Sequence, residues 1–306
     1  MTLINNNDIE EYVELLSRLV MIITIGAIIG VIYAYVGGEP LLEFNNEDGR
    51  PNQLFLTTLS NFKMLNLIRP SGIFDEPGAL SFVICLVAAL RHAFERNRRT
   101  TWILLGIGFI TTSVAHLIYV VLHALADFKG HKKVHFAIVT FLGVMVIGTA
   151  LVLVSAPLQE LFSVLFLDRF SSGDLGDDRM ESFKNGIDYL NWTSFFFGLD
   201  GECAVGLVNC LDKGFGPYAA TPLALIVHWG IFATMPYYLL LLYLLIGFVR
   251  RLDFVMLGIL ILLLQRPYTM SVGYSLFILL TIYVLAVKKR SNFSKTTTLQ
   301  EKIPAA

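Results

Sequence analysis

The sequence predicts an all-α fold: a polytopic integral membrane helix bundle with one large external loop. Three observations predict it. The chain is 55% hydrophobic and only 15% charged, with a mean hydropathy of +0.66, which excludes an ordinary soluble domain. Apolar runs recur at residues 20–36, 78–90, 102–126, 134–155, 223–249, 254–264 and 274–287. Basic clusters punctuate the gaps at Arg96, Arg98 and Arg99, at Lys129, Lys132 and Lys133, at Arg250 and Arg251, and at Lys288, Lys289 and Arg290. The net charge of -1 offers no broad basic field, so nucleic acid is not an expected partner.

The first run is preceded by acidic rather than basic residues and ends without a small-residue cleavage pattern. It therefore reads as a first span and not as a cleaved signal. Placing the basic clusters in the cytoplasm puts residues 37–77, 156–222 and 265–273 outside and the N-terminus inside. The run 102–126 strains that scheme, because basic clusters assigned to the same side flank it. It is about 37 Å long as a helix, enough for one crossing of a ~30 Å hydrocarbon core but not two. The favoured reading is a hairpin that leaves by the face it came from, broken near Thr111, Thr112 and Ser113, whose hydroxyls can satisfy freed backbone groups. The alternative is a single span with one loop assigned to the wrong side.

Residues 1–290 thus read as one transmembrane domain whose external loop, 156–222, is too long to be mere connection. Cys203 and Cys210 fall in that loop and are a candidate disulfide, or two unpaired small side chains. Cys85 lies within a span and is expected to be a free packing thiol. Residues 291–306 are polar and read as a disordered cytoplasmic tail.

Chemistry concentrates in the stretch 69–78, where Arg69, Asp75 and Glu76 stand among Gly72, Pro77 and Gly78 beside an apolar run. Arg presents a planar fork of donors suited to phosphate, and Glu76 can accept a proton. That combination suits a phosphate-bearing lipid whose head lies at the membrane surface. The plainer reading is an interfacial ion pair anchoring a helix start, since acids favour helix N-termini. Arg179, with Arg169 nearby, is a second candidate in the external loop. Arg266, within Gln265, Arg266 and Pro267, is a third. A helix from Asp253 reaches it after about 20 Å, below the outer headgroups, where ionisable residues by default face a cavity or else snorkel. His228, near the outer end of a span, could act as a base or pack as a hydrogen-bonded histidine. His116 and His123 read as structural. His131 and His135 read as a solvated loop, because catalytic zinc wants three protein ligands, so no metal is expected.

An Arg-x-x-Gly-x-Phe-x-Glu-Pro motif (Arg69, Gly72, Phe74, Glu76, Pro77) precedes a span. An external loop bearing an Arg then leads to Phe197 and Gly198, His228, Trp229 and Gly230 open a later span, and Gln265, Arg266 and Pro267 form a late turn. In this order the chain resembles the bacterial O-antigen polymerase and O-antigen ligase superfamily, from about residue 20 to residue 287. The resemblance implies a multi-pass protein of the bacterial inner membrane, acting at its periplasmic face on undecaprenyl-diphosphate-linked glycans. Arg69, Arg179 and Arg266 would then bind diphosphate, Glu76 or His228 would be catalytic, and Gly72, Phe74, Pro77 and Gln265 would support them. No cofactor is implied. A flippase and a chain-length regulator are the implied protein partners. Fewer spans precede the motif than in typical members, as in an N-terminally shortened one. The family's Gly-x-Gly is replaced by Gly198, Leu199, Asp200 and Gly201, and His228 lacks the ligases' polar companion. The last feature favours polymerase, with ligase as the alternative. An anionic-solute transporter is the reading from another class. It would require interrupted helices in two related halves, and the sequence has no such symmetry.

Overall fold

The computed structural model of the chain describes residues 6–45, 51–61, 63–64, 67–128, 192–198, 222–265 and 273–285. The fold is mostly helical. Among the described residues, two helical stretches, Asp8–Tyr35 and Trp229–Arg251, are long and apolar enough to cross a membrane. The chain divides into two compact units, Met1–Val120 with Tyr268–Ala306, and Val121–Pro267.

The first unit is built on α1 (Asn6–Tyr35), α2 (Pro77–Ala93) and α8 (Gly273–Leu285). Pro77 starts α2 where a missing N–H costs nothing, and its fixed φ suits the first turn. α2 is buried along almost its whole length, so it is the core of the unit. Val13 of α1, Leu90 and Phe94 at the far end of α2, and Val284 of α8 form one buried cluster. Tyr274, at the start of α8, packs instead against Phe82 and Phe74 near the start of α2. The helices α2 and α8 therefore run the same way, and α1 runs against them.

A charged cluster closes the Leu90 end. Arg91 is 1% exposed; its Nη1 donates to Glu14 Oε2 at 2.9 Å and to Ser17 Oγ at 3.0 Å, and its Nε donates to Thr101 Oγ1 at 3.1 Å. Arg96 adds a pair to Glu10 at 3.2 Å. The acidic start of α1 is thus the counter-charge for the basic end of α2, which lets α1 begin well before its apolar run.

The segment between α1 and α2 adds a small sheet that an all-helical expectation does not include. Strands β1 (Leu42–Asn45), β2 (Pro51–Phe55) and β3 (Thr58–Ser60) pair antiparallel in that order, and β4 (Lys63–Met64) pairs with β5 (Leu67–Ile68). Gly26 and Gly30 give α1 a shallow face for it. Thr57 Oγ1 donates to the Gly26 carbonyl at 2.6 Å, and a Cβ on Gly30 would strike the Thr58 methyl and the Phe55 carbonyl.

The run 102–126 is broken where the hydroxyl cluster predicts. Helix α3 (Arg98–Ile107) is capped by Asn97, whose side chain accepts from the Arg99 N–H. It tightens into a 3-10 turn (Gly108–Thr111), after which Thr112 turns left-handed at φ 49 before α4 (Val114–Phe128). The chain doubles back there: the His116 ring bonds the Leu105 carbonyl at 2.8 Å and stacks edge-on against Phe109.

The second unit contains α5 (Trp192–Phe197), α6 (Pro222–Arg251) and α7 (Phe254–Gln265). Asp253 caps α7 by accepting from the Val255 and Met256 N–H groups. Tyr237 Oη donates across the hairpin to the Leu263 carbonyl at 2.8 Å, so α6 and α7 are antiparallel.

Candidate functional site

Glycine and proline shape the approach to Arg69. Gly72 adopts φ 63, a left-handed conformation that a side chain would strain, and a Cβ there would also meet the Ile23 side chain of α1. Its N–H donates to Thr58 Oγ1, and its carbonyl accepts from the Leu59 N–H, both at 2.8 Å, which ties the turn to β3. The Phe74 N–H closes the turn onto the Ser71 carbonyl at 3.0 Å.

Held this way, Arg69 is half-buried. Its Nε donates to Thr112 Oγ1 at 2.8 Å and its Nη2 to the Thr111 carbonyl at 3.3 Å. The guanidinium therefore joins two interruptions of helical structure: the turn ahead of α2 and the break between α3 and α4. Thr111 Oγ1 meanwhile donates to the Gly108 carbonyl at 2.9 Å, satisfying a backbone acceptor that the break releases.

Glu76 is 8% exposed and immediately precedes α2, with its own carbonyl accepting from the Ala79 and Leu80 N–H groups. A buried carboxyl at a helix N-terminus sits in the favourable field of the helix dipole. Asp75, by contrast, is exposed, and its carbonyl accepts from Asn52 Nδ2. The Phe74 and Tyr274 rings meet at a tilt, 6.3 Å between centroids, so the motif and the start of α8 share one end of the unit.

Two motif pieces that stand far apart in the sequence meet in the second unit. Within α6, Gly230 breaks helical geometry at φ 73, ψ 164. A Cβ there would collide with the Phe196 carbonyl and crowd the Gly198 N–H, while Phe196 stacks on Phe232 at 5.2 Å. Phe197 and Gly198 are thus in place against the kink that follows His228 and Trp229. His228 itself lies in α6 just ahead of that break. Gln265 is exposed at the end of α7. That helix stops near Tyr237, about 12 Å short of Trp229 along α6, so the segment leading to Arg266 ends well below the end of its neighbour.

Arg179, Arg266, Cys203, Cys210, His131 and His135 lie outside the described residues, as does the polar tail 291–306. Cys85 is a free, buried thiol as expected, and it lies 3.4 Å from His116 Nδ1. Since His116 Nε2 faces a carbonyl, which only accepts, Nδ1 is the acceptor for the thiol proton. His116 is thereby a structural bolt between α2 and the broken helix pair, in line with its sequence reading.

Sequence reasoning missed the Arg91 cluster and the Arg69–Thr112 bond. The acids Glu10 and Glu14, one helical turn apart ahead of an apolar run, were the available signal for the first. Comparison with known protein families, with curated proteins and with solved structures finds no match.

Proposed function

We propose that this chain is a glycosyltransferase of the bacterial inner membrane that lengthens a surface polysaccharide, using undecaprenyl-diphosphate-linked oligosaccharide units. The observation that carries the reading is Arg69. A planar, permanently charged fork stands half-buried among apolar helices, where two non-helical backbone segments meet and a buried Glu76 follows seven residues on. Ionisable groups in such surroundings are costly and default to function, and irregular backbone there signals a lined cavity rather than lipid contact.

In the proposed reaction an acceptor sugar hydroxyl attacks the anomeric carbon of the lipid-linked unit. A new carbon–oxygen bond forms as the bond to the diphosphate breaks, and the diphosphate departs with the electron pair. The acceptor proton passes to Glu76 or His228. Arg69, Arg179 and Arg266 bind the diphosphate and take up its growing charge. Diphosphate leaves readily, so charge stabilisation contributes more than protonation, and guanidinium groups supply it without calling for a divalent metal. The site faces the periplasm, and Gly72, Phe74, Pro77 and Gln265 shape it.

Deleting the gene and resolving the cell's surface polysaccharide by size tests this. Loss of the ladder with retention of the single-unit product is the expected result. Loss of all attached glycan would instead assign a ligase, and an unchanged ladder would contradict both.

A further inference from the structure

Arg69 stands in a segment whose backbone has little freedom of its own. It precedes Pro70, whose ring fixes φ, and a residue ahead of proline is confined to extended conformations. Arg69 therefore takes its direction from whatever anchors its flanks, and both anchors belong to the β2–β3 hairpin. On one side Ile68 packs in a buried cluster with Phe55 of β2 and Ala34 of α1. On the other, Gly72 pairs antiparallel with Leu59 of β3, which extends the sheet beyond its last strand.

Two hydroxyls reinforce the second anchor, and neither is part of the Arg-x-x-Gly-x-Phe-x-Glu-Pro pattern. Ser71 sends both of its donors to the Leu59 carbonyl, the N–H and the Oγ each at 2.8 Å. Thr58 Oγ1 accepts from the Gly72 N–H at 2.8 Å and donates to the Leu59 carbonyl at 3.1 Å. Both side chains are completely buried, so a group stripped of its bond here is left without water to replace it. Only Pro70 separates this knot from Arg69, whose Nε and Nη2 reach Thr112 and Thr111. A slack turn would draw the guanidinium away from them.

We propose that Thr58 and Ser71 are positioning residues for Arg69, locking the turn so that its guanidinium is presented at the α3–α4 break in one orientation. Neither hydroxyl needs to touch a substrate; both act through the Ser71–Gly72 backbone. The lock stands on these hydrogen bonds, and its effect on glycan transfer rests on the glycosyltransferase reading. A charge-stabilising group displaced by about 1 Å can cost about a hundredfold in rate, so support behind it matters as much as the group itself.

Four variants of the full chain test the lock. Thr58→Val keeps the branched shape but strands the Gly72 N–H, Ser71→Ala deletes one donor to Leu59, and Thr58→Ser keeps the hydroxyl. Gln53→Ala, which loses an exposed bond to Glu43 on the same hairpin, is the control. Modification of Arg69 by phenylglyoxal, followed by peptide mass spectrometry, reports its hold independently of any activity. In Thr58→Val and Ser71→Ala it is expected to run about tenfold faster than in the wild type. In proteoliposomes kcat for glycan lengthening is expected to fall about a hundredfold in Thr58→Val, with KM for the lipid-linked donor changed less than about threefold. Thr58→Ser and Gln53→Ala should match the wild type in both readouts. Wild-type modification rates in both Thr58→Val and Ser71→Ala would overturn the lock. Faster modification with wild-type kcat would overturn the positioning role. Should Thr58→Val fail to fold, Ser71→Ala decides by the same criteria. If the wild type lengthens no glycan, the glycosyltransferase reading fails, and the lock stands or falls on the Arg69 modification rates alone.

Discussion

The Nε of Arg69 donates a 2.8 Å hydrogen bond to Thr112 Oγ1, linking residues 43 apart in sequence. One side chain thereby fixes the turn ahead of α2 to the tip of the α3–α4 break. Thr112 accepts this bond from a strained position, since a β-branched residue at φ 49 is uncommon. Thr112→Val keeps the shape and removes the acceptor, while Thr112→Ser keeps the acceptor. A hydrogen bond to a charged group is worth about 1.5–3 kcal/mol. Thr112→Val is therefore predicted to reduce glycan transfer more than tenfold and Thr112→Ser to restore most of it, as measured by transfer rates in proteoliposomes.

Gly230 combines a conformation reserved for glycine with contact against the Phe196 carbonyl. Gly230→Ala should cost about 1–3 kcal/mol from backbone strain alone, visible as a lower melting temperature in detergent. Gly106, in α3, serves as the contrast, because a Cβ there would have open space for 4 Å around it. Gly106→Ala is predicted to leave stability unchanged or raise it by about 0.5–1 kcal/mol.

The charged end of the first unit offers a graded test. Arg91→Ala leaves a buried void and removes the donor to Ser17 and Thr101, while Glu14 keeps Arg96 at 3.8 Å, and is predicted to destabilise by about 1–3 kcal/mol. Arg96→Ala removes a half-exposed pair and should cost less than about 1 kcal/mol. Thermal unfolding followed by intrinsic fluorescence separates the two. Equal effects would mean that Arg91 is not the keystone of this end.

Gly30 permits the sheet to reach α1. Gly30→Val drives a branched side chain into Thr58 and the Phe55 carbonyl, so it should detach the β2–β3 turn from the helix. Protease accessibility of residues 51–61 is expected to rise sharply in Gly30→Val and to stay low in the wild type.

Much of the helical layout was legible because hydrophobic runs set it. The run 78–90 became Pro77–Ala93, and hydroxyls at Thr111, Thr112 and Ser113 marked a real break. The sheet was not legible. Its strands are short, and β2 and β3 meet glycines of α1 that precede Phe55, Thr57 and Thr58 by more than twenty residues, a long-range packing condition that no local period records. The α6 run read as one span because Gly230 is a single residue in an apolar stretch, and only the close approach of Phe196 shows why its helix must break. Arg69, Glu76 and Gly72 stood out as charged or flexible residues beside an apolar run, yet the partners of the Arg69 guanidinium did not, because Thr111 and Thr112 lie more than forty residues further along the chain.

Reconstituting the purified chain with an undecaprenyl-diphosphate oligosaccharide and comparing wild type with Arg69→Lys tests the central claim most directly. A lysine keeps the charge but cannot reproduce the two-pronged fork. The account predicts a ladder of lengthened glycan from the wild type and none from a folded Arg69→Lys protein. Equal ladders from both would contradict it.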